Sequence, residues 1–138
     1  MEGAAWSDRT LTQLEGEDWG VPTYDSYVVT NSHALRHKPL REFTAEDLRF
    51  MLGQKNSLPL LMPMALDVLE ADLLAGGDMY EGALLNMAVR VAPAFWREHP
   101  HLWCRLDMVL LVARQVHDVL EREVFPAAAA FAAARPEG

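Results

Sequence analysis

Six apolar residues late in the chain, Leu102, Leu106, Val109, Ala113, Val116 and Leu120, recur at alternating intervals of four and three. That spacing gathers them on one side of an α-helix but scatters them over both faces of a strand, so the segment is expected to be helical. Pro100 suits the first turn, where no backbone donor is needed, and the helix is expected to run to Val124, about 37 Å at ~1.5 Å per residue. Trp103 and Leu110 widen the stripe, which marks this helix as the spine of the core. The rest of the chain agrees: β-branched residues never form an alternating run, and no Asn-Gly or Asp-Gly hairpin turn occurs. The expected fold is all-α, a single compact bundle or orthogonal array of about six helices.

Capping residues and prolines mark where the other helices start and stop. Thr10, with Gln13 three places on, can cap a short turn that Gly20 and Pro22 end, and Leu11, Leu14 and Trp19 should dock on the core. From Thr23 a helix places Tyr24, Val28, Asn31 and Leu35 on one stripe. It closes with Arg36, His37 and Lys38 before Pro39, cations that suit a helix C-terminus. Thr44 is the next N-cap, with Asp47 at the third helical position and Phe43 able to staple Leu48, and that helix should end near Gly53. Ser57 is expected to cap a further helix with Pro59 in its first turn, while Pro63 arrives too late for that turn and predicts a kink or a restart. Beyond it Leu61, Met62, Ala65, Leu66 and Leu69 face inward and Asp67 and Glu70 outward.

Gly76 and Gly77 are expected to end that helix. Asp78 and Glu81 would cap the next one as an Asp variant of the capping box, with Gly82 letting its first turn pack closely. Leu84, Leu85, Ala88 and Val91 supply its buried face. Tyr80 has two readings: packed into the core with its hydroxyl tied to the turn, or projecting beside the acids. Pro93 opens a short turn before the long helix.

With 138 residues, 51% of them hydrophobic, residues 1–138 suit a single domain, with 1–9 and 126–138 expected to be flexible. The net charge of −8 and a pI near 5.0 argue against nucleic acid and anionic membranes as partners, and leave a basic protein as one. The longest apolar run, Leu58 to Leu66, is far below the ~20 residues a membrane span needs. No secretory signal is read in "MEGAAWSDRT", and Cys104 is the sole cysteine, so a reducing, cytoplasmic setting is expected.

Signals for chemistry are sparse. His33 and His37 have a metal-ligand spacing on a helix, but no third ligand can be named, and the pair reads as surface residues favoured by the helix dipole. His99 and His101 flank Pro100 at a turn, and Cys104 sits in a leucine-rich helix that argues for packing. Nucleotide-binding and hydrolase motifs are missing, so no catalytic residue, metal or cofactor is assigned and the chain is read as a non-enzyme. What stands out is charge geography: residues 67–89 hold five acids and no base. Asp67, Glu70, Asp72, Asp78 and Glu81, with Tyr80 among them, are the candidate surface for a basic partner.

The segments "EDWGVPTYDSYVV", "HALRHKPLREFTAEDLRFMLGQ", "LPLLMPMALDVLEAD" and "GGDMYEGALL" together resemble the CdiI-type immunity proteins of bacterial contact-dependent growth inhibition systems. The likeness runs from about Leu11 to Trp96. It rests on the order of Trp19-Gly20, Lys38-Pro39-Leu40, Asp47-Leu48-Arg49, Gly53-Gln54, Leu58-Pro59, Pro63, and Asp78-x-Tyr80-x-Gly82 with Leu84-Leu85. The resemblance implies a small cytoplasmic protein that binds and blocks the toxic C-terminal domain of a cognate effector, often a nuclease with a basic cleft. A helical adaptor or regulatory subunit with another partner is the alternative.

Overall fold

The computed structural model describes residues 7–16, 26–76 and 79–137, which are helical with no strand among them. The helices are α1 (Leu11–Glu15), α2 (Tyr27–Arg36), α3 (Ala45–Gly53), α4 (Leu58–Ala71), α5 (Ala83–Val89), α6 (Pro93–Glu98), α7 (Pro100–Val119) and α8 (Phe125–Ala133). A π-helical segment, Leu120–Val124, joins α7 to α8 as one rod. Its cause lies two residues on. Pro126 has no N–H to give and its ring would strike the carbonyl four residues back, and the wider turn, closed by Phe125 N–H to Leu120 O, relieves that clash.

α3 packs against both α4 and α5, while the first half of α7 lies along α4 and α6. At the centre Leu48, Met51, Leu61, Met62, Leu66 and Leu84 are fully buried. The local start signals translate directly. Thr44 Oγ1 accepts from Asp47 N while an Asp47 oxygen accepts from Thr44 N, and Thr10 and Gln13 form the same reciprocal pair. Of the residues expected to dock first, Leu11 is buried and Leu14 packs on the core, whereas Trp19 lies outside the described residues.

Several boundaries differ from expectation. α2 starts after Ser26, whose Oγ accepts from Val29 N, and Val28 is exposed rather than on the buried stripe. Ser57 does not cap α4: its backbone is left-handed (φ 56°), and its hydroxyl is occupied by Arg36 and Asn56. Pro63 neither ends nor restarts α4, which stays helical through the strongly buried Leu61, Met62, Ala65 and Leu66. α4 ends at Ala71, before Gly76, because Asp72 is extended and its carboxylate takes the Leu74 N–H, a local bond that competes with helix continuation. α5 begins after Gly82, at φ +90°, so Glu81 precedes the helix and is not its third residue. Asp78, the expected cap, lies outside the described residues.

The expected spine is half right. Leu102, Leu106 and Val109 are buried, but from Leu111 to Glu137 every residue except Ala113, Leu120 and Ala128, which are half-buried, is exposed. The stripe continues into an arm that leaves the core. The end of the chain expected to be flexible, 126–138, is helical through Ala133, and none of its described residues is fully buried.

Candidate functional site

Of the six residues singled out as a binding surface, Asp78 is outside the described residues and the other five are exposed. Asp67 and Glu70 lie on the outer side of α4. There the structure supplies a partner that sequence spacing could not: Arg105, from α7, donates to Asp67 Oδ1 at 2.7 Å and to both Glu70 oxygens at 2.9 and 2.8 Å. The planar guanidinium spans both carboxylates and ties α7 to α4. The hydrogen bonds from Arg105 hold the Glu70 carboxyl below its ordinary 4.5 against the opposing effect of desolvation, and they raise Arg105 further above its usual value.

Since the folded-state value of Glu70 is the lowered one, its share of the tie is complete above 4.5 and disappears as pH falls through the lowered value. Both carboxylates are solvated, so the tie contributes little to stability. Arg105→Gln is expected to cost less than ~1 kcal/mol in chemical denaturation, because exposed ion pairs contribute about that much at most. The same change leaves Asp67 and Glu70 as bare charges.

Asp72, Tyr80 and Glu81 belong to the connection between α4 and α5, whose two halves lie against one another. Gly82 N donates to Leu74 O at 2.8 Å, Leu84 N to Ala75 O at 3.3 Å, and Ala83 N to Tyr80 O at 3.0 Å. Tyr80 does not enter the core. It is 52% exposed, its hydroxyl accepting from Asn86 Nδ2, while Asn86 Oδ1 accepts from Arg90 Nε at 3.1 Å. The ring is thus held over α5 by a short polar chain. Leu74 and Met79, which sequence reasoning passed over, are exposed beside it. Sequence offered no signal for them, because exposure in a loop has no periodicity. The connection therefore displays an aromatic and two aliphatic side chains with Asp72 and Glu81 among them.

The other candidates for chemistry are dispersed. His99 stacks on Phe95, ring centroids 4.3 Å apart, with Nδ1 against Phe95 O. Cys104, expected in the core, is exposed because α7 turns that side to solvent. Among the described residues no three of His, Cys, Asp and Glu come together in a metal-holding group. An open hollow of about 530 Å³ between α6 and α7, lined by Trp96, Trp103 and Arg97, gathers no carboxylate or imidazole. No helix among the described residues is long and apolar enough to cross a membrane.

The family model of CDI immunity proteins matches residues 13–106. The chain belongs to that family. No curated protein and no solved structure matches it. The immunity-protein match takes in α2 to α6, the connection bearing Tyr80 and Glu81, and Arg105. It stops at Leu106, where α7 is still buried, so the arm beyond Leu111 lies outside the matched region.

Proposed function

We propose that this CDI immunity protein binds the toxic C-terminal domain of its cognate effector with the outer side of α4 and the connection that follows it. The supporting observation is the make-up of that connection: Leu74, Met79 and Tyr80 are exposed together, with Asp72 and Glu81 around them. A partner can bury apolar anchors there while its cations meet carboxylates, and such rimmed aromatic anchors dominate binding energy in protein interfaces. Asp67 and Glu70 contribute less field than their number suggests, because Arg105 offsets one of their two charges. The partner is a protein with a basic surface, as a nuclease toxin would present. The action is occlusion and involves no reaction.

The test uses Asp72 and Glu81, since reversing Asp67 or Glu70 would set a lysine against Arg105 and mix the loss of that tie with the loss of surface charge. Asp72→Lys with Glu81→Lys is expected to weaken toxin binding about 10–100-fold at low salt, with the difference shrinking as salt rises. Tyr80→Ala is expected to cost about 10-fold or more at any salt. Calorimetric titration of the toxin domain reads both, and unchanged affinity in both variants would remove this surface from the interface.

A further inference from the structure

We infer that the arm formed by the end of α7, the π-helical segment and α8 binds a second copy of this chain, antiparallel, with Phe131 of each copy seated in a hollow of the other. The stripe Leu102, Leu106, Val109, Ala113, Val116, Leu120 keeps the four-three spacing of a helix built to pack against another helix. Its first three residues are buried against this chain's own helices, and Val116, with Met108, Val112 and Val119 alongside, is exposed. An apolar face this long on a charged chain marks an association surface.

The hollow lies where the arm leaves the body. It has a volume of about 320 Å³ and is walled by Leu69, Glu70 and Leu73 on one side and Met108, Val109 and Val112 on the other, so it is apolar except for the Glu70 carboxylate at its edge. Phe131 is 83% exposed, twenty-two residues beyond Val109. In an antiparallel pair crossing at Leu120, position 131 of one copy falls opposite position 109 of the other, and the two-fold symmetry fills both hollows at once. Each plug then meets a socket.

Charge selects the same occupant and the same direction. Residues 111–138 carry three arginines against four acids, a net −1 of the chain's −8, so the body holds the remaining −7. Arg122 with Asp118 and His117 with Glu121 are paired along the arm itself. A basic toxin is drawn to the body, whereas a nearly neutral arm does not repel its own copy. Parallel arms would press two acidic bodies together. Antiparallel arms hold them roughly 30 Å apart at ~1.5 Å per residue, well beyond a screening length of about 8 Å.

Sedimentation equilibrium on the full chain tests this. The wild type at about 100 μM, a concentration that populates even micromolar complexes, is expected at twice the 15.5 kDa chain mass. Phe131→Asp is expected to weaken association at least ~100-fold, since it buries a charge in a mostly apolar socket beside the Glu70 carboxylate, with an unchanged circular dichroism spectrum and melting temperature. Val112→Asp, which spoils the socket, should do likewise. Mixing the two variants should restore a measurable heterodimer through the one intact plug and socket. A wild type that stays monomeric at that concentration, a dimer indifferent to Phe131→Asp, or a mixture with no heterodimer would each overturn the inference. So would a monomer whose Phe131→Asp variant loses only toxin binding.

Discussion

Arg36→Ala is expected to remove about 3–5 kcal/mol of folding stability, the usual cost of deleting one partner from a buried charged network. Arg36 is 1% exposed at the end of α2. Its Nη2 meets Glu15 Oε1 at 2.7 Å, and Nη1 donates to Ser57 Oγ at 3.2 Å and to Asn56 Oδ1 at 3.5 Å. One side chain thus joins the end of α1, the end of α2 and the turn that leads into α4. Two residues of that turn, Lys55 and Ser57, hold left-handed backbones, which cost free energy in a non-glycine residue and persist only where surroundings fix them. Without the guanidinium, Ser57 and Asn56 lose a donor and the turn loses its anchor. Arg36→Met keeps most of the volume and should recover part of the loss, separating packing from charge. Arg36→Lys cannot reach all three partners and should still cost about 1–2 kcal/mol. Chemical denaturation reads all three, and an Arg36→Ala loss below ~1 kcal/mol would show that the cluster is not a joint.

Gly76→Ala is expected to be damaging too, through contact and not through backbone freedom. A Cβ at residue 76 would sit on the carbonyl oxygen of Tyr80, 2.8 Å from its carbon and 3.0 Å from Glu81 Cα. That carbonyl cannot withdraw cheaply, because it accepts from Ala83 N and the flanking Gly82 N and Leu84 N hold Leu74 and Ala75. Either the connection opens or the protein loses about 1–3 kcal/mol, the usual range for forcing atoms into filled space. Gly16→Ala is the control. Gly16 has φ +69° with nothing within 4 Å of its missing Cβ, so it should cost only the ~1 kcal/mol of a left-handed alanine. If Gly76→Ala proves the milder of the two by thermal melting, the close packing of the connection is wrong. The same substitution should also weaken toxin binding, since it displaces Tyr80.

The parts of the fold legible in the sequence are those settled within a few residues. The Thr44 and Asp47 pair needs only its own turn, and the inward residues of α4 from Leu61 to Leu69 follow from helical periodicity. What could not be read is what depends on distant partners. Arg36 reads from sequence only as a last-turn cation suited to a helix C-terminus, because Glu15, Asn56 and Ser57 are far off in sequence. Asp67 and Glu70 looked like free charges because Arg105 is more than thirty residues away. The stripe on α7 shows the same limit from another side: periodicity reports that a face is apolar, and says nothing about which element covers it. At the connection, competition misled the reading, since Asp72 ended α4 early and Gly82, at φ +90°, took the start of α5. Asp67, Glu70, Asp72, Tyr80 and Glu81 are exposed whichever residue caps the helix.

Co-expression with the toxin domain is the direct test of neutralisation. The toxic C-terminal domain of a cognate CDI effector is induced in a sensitive host, with and without the chain, and growth is followed. The chain is expected to restore growth and to co-purify with the toxin domain in a stoichiometric complex, and the Asp72→Lys, Glu81→Lys double variant with Tyr80→Ala is expected to restore less. A soluble, folded chain that leaves growth arrested and forms no complex would contradict it.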